Sequence, residues 1–98
     1  MAFISILLYH RIRRNREFTE HMDGAENITI LIAEDNVVSR ELMASILKTQ
    51  GYQIMGASDG TQAIQVIENN DIDLALVDLN MAPTGGFEFV RYLVVNGI

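Results

Sequence analysis

Three acidic residues stand where two apolar runs end. The run Thr29–Ala33 (TILIA) leads directly into Glu34 and Asp35, and the run Leu74–Asp78 (LALVD) closes on Asp78 itself. Short runs of this kind, apolar on both alternating faces, read as parallel strands buried on both sides. If the two strands share a sheet, Glu34, Asp35 and Asp78 meet at one edge. Carboxylates brought that close repel one another, and at neutral pH a positive charge must compensate them. A hard divalent cation with oxygen ligands suits the set, Mg²⁺ above others. The chemistry to expect is that of a magnesium-dependent carboxylate site, and so phosphoryl transfer.

The elements that must position these residues alternate along the chain. DGAEN at 23–27 is a polar break and the best boundary, dividing an extension over residues 1–27 from a domain over residues 28–98. After the first strand and its acidic loop, Val38, Leu42, Ile46 and Val37, Met43, Leu47 recur at helical spacing, up to Gln50. Gly51 stands where a helix-ending glycine belongs. Gln53–Ala57 is a second, weaker strand, and SDG at 58–60 a turn. Thr61 or a neighbour begins a helix burying Ala63, Ile64 and Ile67. Leu74–Asp78 is the third strand, and the loop NMAPTGG leads to a helix from about Phe87, with Val90, Leu93 and Val94 inward. This βαβαβα order argues for a parallel sheet with helices on its faces. Ligands of such sheets bind beyond the carboxyl ends of the strands, where all three acids fall.

Composition narrows the function. The 98 residues carry a net charge of −6, and all of it lies on residues 28–98, which hold three basic and nine acidic groups. That balance excludes a phosphate-backbone binder, so no nucleic-acid partner is expected. Cysteine is absent, which rules out disulfides and thiolate metal sites and fits a reducing, cytoplasmic setting. AFISILLY near the N-terminus falls short of the roughly 20 residues that span a bilayer, and its arginines follow the apolar run, unlike a secretory signal. The segment is open to several readings: the tail of a membrane helix with the arginines on the cytoplasmic side, an amphipathic helix, a pairing strand, or a poorly ordered extension.

In IAEDN, in Asp78 followed by LNM, in Gly86, and in GYQIMGASDGTQAIQVI, the chain resembles the receiver domain of two-component response regulators over roughly residues 28 to 95. The IAEDN form is similar to receivers attached to hybrid histidine kinases. The resemblance implies an α/β, flavodoxin-like, doubly wound parallel sheet, of which only the first three βα units are present, with strand order 2-1-3. It also implies a mechanism. Asp78 is the phosphoacceptor, taking a phosphoryl group from a phosphohistidine on a histidine kinase or a histidine phosphotransfer protein. Asp35 and Asp78 hold Mg²⁺ directly, Glu34 helps directly or through water, and the Asn80 backbone carbonyl completes the protein ligands. On this reading the chain is a signalling phosphoacceptor and no enzyme. A dehalogenase-type phosphatase wants a second carboxylate two residues after its nucleophile, where this chain has Asn80.

Two departures qualify the resemblance. Ala82 separates Met81 from Pro83, where the family has Met-Pro, although the distance to Gly86 is kept. Only twenty residues follow Asp78, so the family's fourth and fifth strands, its switch Ser/Thr and its phosphate-contacting Lys have no counterpart. Lys48, the sole lysine, sits on the first helix and is no substitute. With order 2-1-3, Leu74–Asp78 becomes an apolar edge that invites pairing; poor folding, completion by a second copy and cover by the N-terminal segment are all open, and homo-oligomerisation through this edge is the expectation. The rival function is a truncated, non-switching receiver that serves as a protein-interaction or dimerisation module. His10 and His21 lie in no kinase-like setting and read as surface side chains.

Overall fold

The computed structural model describes residues 6–10, 28–79, 81 and 86–96, the first five as backbone. Among them the elements in chain order are β1 (Ile6–His10), β2 (Thr29–Ala33), α1 (Val37–Thr49), β3 (Gln53–Ala57), α2 (Gly60–Asn69), β4 (Leu74–Asp78) and α3 (Gly86–Val95). β2 pairs in parallel with β3, Ala33 opposite Ala57, and with β4, Ala33 opposite Val77. These three strands, in the expected 2-1-3 order, carry the three helices.

The fourth strand corrects an expectation. Leu74–Asp78 has no open edge, because β1 runs antiparallel along it from Ile6 opposite Asp78 to His10 opposite Leu74, giving the order β1-β4-β2-β3. The apolar N-terminal run is therefore a pairing strand over Ile6–His10, neither helix nor disordered tail there. Association through a bare β4 edge loses its basis, since that edge is already paired. No helix among the described residues is long and apolar enough to cross a membrane.

Alternation along the strands divides the sheet into two faces. Leu31, Ala33, Ala57, Ala75 and Val77 join Ala63 and Ile67 of α2, Phe89 and Leu93 of α3, and Ile72 and Met81 in one buried cluster. Tyr92 Oη donates to Glu68 Oε2 at 2.8 Å, linking α3 to α2 at the surface. Ile30 and Ile32, also buried, point the other way, where α1 packs on β2 and β3. The inward residues of α3 differ from the sequence expectation: Phe89 and Leu93 are buried, Val90 is half-buried, and Val94 is exposed. Of the two rows on α1, Met43 and Leu47 lie half-buried with Ala44, while Val37, Val38, Leu42 and Ile46 are exposed.

Both helices that flank the acidic edge begin on side-chain caps. Asn36 Oδ1 accepts from the Ser39 N–H at 2.9 Å and Asp59 Oδ1 from the Gln62 N–H at 2.8 Å, satisfying donors that the first turn leaves open. α1 ends as its glycine predicts: Gly51 has φ 95°, and the N–H groups of Gly51 and Tyr52 donate to the Lys48 and Leu47 carbonyls, the paired bonds of a Schellman ending.

Candidate acidic site

Parallel register brings the acids together. Ala33 lies opposite Val77, so Glu34 and Asp78, the next residues on their strands, stand side by side. Glu34 is in phase with Ile30 and Ile32, and Asp78 with Leu74 and Leu76, which places both on the α1 side of the sheet. Carboxylate oxygens of Glu34, Asp35 and Asp78 lie within 4.8 Å of one another. The sequence-level convergence of these three residues is thus realised. Asn80, assigned a carbonyl ligand by the resemblance, lies outside the described residues. The Met81 N–H donates to the Asp78 carbonyl at 3.2 Å, so the chain turns immediately after the strand.

The three carboxylates differ in exposure. Glu34 is 8% exposed, Asp78 half-buried and Asp35 exposed. The pKa of Glu34 is raised from 4.5 to about 7, by burial first and then by the neighbouring Asp35 and Asp78, against the lowering effect of the Asn36 N–H. That N–H donates to Glu34 Oε2 at 3.1 Å. A partly desolvated carboxylate facing two others holds more negative charge than its surroundings balance, the condition under which a hard cation binds.

The backbone of the acidic loop is held from two sides. Glu34 N–H extends the ladder to β3 by donating to the Ala57 carbonyl at 2.9 Å. Its carbonyl accepts from Arg40 Nη1 at 2.7 Å. Arg40 escapes a sequence reading because it looks like an ordinary exposed helix cation. Its one sequence-level signal is that it falls on the same side of α1 as Met43, Ala44 and Leu47.

Comparison with known proteins identifies the family. A family described as "Response regulator receiver domain" matches residues 30–97. The chain belongs to the response regulator receiver domain family. It is 38% identical over 64 residues to the CAI-1 autoinducer sensor kinase/phosphatase CqsS of Vibrio cholerae, covering 65% of this chain and 9% of that protein. Against the sensor histidine kinase RcsC of Salmonella typhimurium it is 35% identical over 69 residues, 70% of this chain and 7% of the relative. Against the aerobic respiration control protein ArcA of Escherichia coli it is 36% identical over 64 residues, 65% of this chain and 27% of the relative. The receiver family signals in two-component systems, and two of these three relatives are sensor kinases in which the matched stretch is a small part. The matched stretch spans less than a third of each.

Proposed function

We propose that this receiver accepts a phosphoryl group from a phosphohistidine onto Asp78, in a Mg²⁺-dependent step of a two-component phosphorelay. The observation that carries the reading is the convergence of Glu34, Asp35 and Asp78 within 4.8 Å. An Asp78 carboxylate oxygen attacks phosphorus, the P–O bond forms as the P–N bond to the donor imidazole breaks, and the product is an acyl phosphate. The oxygen-only donor set fits Mg²⁺. Asp35 and Asp78 would bind it directly, Glu34 directly or through water, and the Asn80 carbonyl would complete the set. Bound there, Mg²⁺ supplies neutralisation of the charge on the transferring phosphoryl group. The chain's own residues supply position: the β4 ladder fixes Asp78, and the ladder bond from Glu34 to Ala57 fixes the start of the acidic loop.

The donor is a histidine kinase or a histidine phosphotransfer protein, the setting of the receiver is cytoplasmic, and the receiver is a signalling acceptor without turnover chemistry of its own. Acetyl phosphate with Mg²⁺, followed by intact-mass measurement, tests the proposal. A single phosphoryl adduct is expected, dependent on Mg²⁺ and lost in Asp78→Asn. No adduct on the wild-type chain would leave the interaction-module reading in its place.

A further inference from the structure

Arg40 grips both ends of the acidic loop. Its main-chain N–H donates to the Asn36 carbonyl at 2.9 Å, the first hydrogen bond of α1. Its Nη1 donates to the Glu34 carbonyl at 2.7 Å, a short, charge-assisted contact. Glu34–Asn36 is therefore bracketed by one residue. Asp35, in the middle, is exposed, so packing does little to aim its carboxylate. Its direction follows from the backbone on either side.

The guanidinium reaches Glu34 because β3 leaves room for it. A methyl group built on Gly56 would stand 3.3 Å from Arg40 Cδ and 3.6 Å from its Nε. Glycine inside a strand weakens it, and close approach of another group is one of the standard reasons to find it there. Arg40 and Gly56 both border an open cleft between α1 and β3, so an added methyl shifts the arginine stem by a few tenths of an ångström without forcing the strand apart.

We infer that Arg40, seated across Gly56, is a positioning residue of the acidic site: it holds the Glu34 carbonyl so that Asp35 meets Glu34 and Asp78. This rests on the reading of the site as a Mg²⁺ centre. It differs from a purely electrostatic role, in which any nearby cation would serve, because Arg40 spends its hydrogen bond on a neutral carbonyl. A lysine keeps the charge but loses the forked reach of the guanidinium.

The test uses the whole chain and Mg²⁺ alone as the probe. Mg²⁺ affinity is measured by calorimetry, and amide exchange of Asn36 and Val77 by NMR without metal. Arg40→Met and Gly56→Ala should each weaken Mg²⁺ binding on the order of tenfold and speed exchange at Asn36, with Val77 unchanged. Arg40→Lys should behave as Arg40→Met does. The double variant Arg40→Met/Gly56→Ala should be no worse than the weaker single one, since both break the same contact. Unchanged affinity and Asn36 exchange in Gly56→Ala would overturn the inference, as would full rescue by lysine or equal acceleration at Val77. A wild-type chain that binds no Mg²⁺ defeats the reading of the site instead, and Asn36 exchange in the metal-free variants then decides the role of Arg40 by itself.

Discussion

Leu31, Ala33, Ala57, Ala75 and Val77 meet α2 and α3 in a closed core where Phe89 and Leu93 are fully buried. Ile30 and Ile32, on the opposite face of the same sheet, lie under a helix that has no buried residue of its own. The two faces are held by different physics. The first is secured by apolar area removed from water, about 25 cal/mol per Å². The second buries less, Ile30 and Ile32 under half-buried Met43, Ala44 and Leu47, and leans more on local hydrogen bonds: the Asn36 cap, the Schellman ending at Gly51, and the reach of Arg40 to Glu34. The acidic site belongs to the second face. Its geometry therefore depends on polar contacts that can change while the main core stays intact.

Truncation in the closed core should give the largest effect. Phe89→Ala removes a side chain at 0% exposure and should cost about 3–5 kcal/mol, read from the urea midpoint at unchanged slope. A loss near that of an exposed apolar residue would erase the contrast between faces.

The next effect is a dependence on pH set by Glu34 on the site face. Metal-free folded protein keeps Glu34 protonated up to about pH 7, whereas an unfolded chain releases that proton near 4.5. The folded state thus binds the extra proton between those values. Stability should fall as pH rises from about 4.5 to 7 and level off above. Mg²⁺ needs the ionised carboxylate, so its elevation of the melting temperature should grow over the upper part of that range. Glu34→Gln should flatten the metal-free slope. A slope that persists in this variant would assign it to another group.

Loss of the cap at Asn36 should be milder. Asn36→Ala should destabilise by about 1 kcal/mol and loosen amides in the first turn of α1 ahead of those in α2. The smallest effect is expected on the open side of α1, where Leu42 is 60% exposed. Leu42→Ala should stay within about 0.5 kcal/mol. A loss several times larger would mean that something covers this side in solution.

Sequence pattern alone locates β2, β3 and β4 to the residue, because each is a five-residue run with a polar residue against at least one end: Glu34 after β2, Ser58 after β3 and Asp73 before β4. It also places Glu34, Asp35 and Asp78 correctly, since parallel pairing of two such runs must align their ends. β1 is different. AFISILLY fits several structures locally, and only pairing with a distant strand selects one. α1 and α3 are legible as helices but not in rotation: an apolar residue every three or four positions fits more than one inward side, and Phe89 is buried where Val94 is not. Arg40 leaves only a faint trace, its phase with Met43, Ala44 and Leu47, because its contacts are with the Glu34 carbonyl and with Gly56 on another strand.

β1 also bears on how the molecule is made. Ile6 and its partner Asp78 lie roughly seventy residues apart in sequence, a separation that costs loop-closure entropy before any contact offsets it. On the ribosome β1 emerges early and must wait for β4 to be synthesised. During that interval the Ile6–His10 backbone has open donors and acceptors for any neighbouring strand. β1 leaves the ribosome long before its partner and can take its seat only once β4 exists.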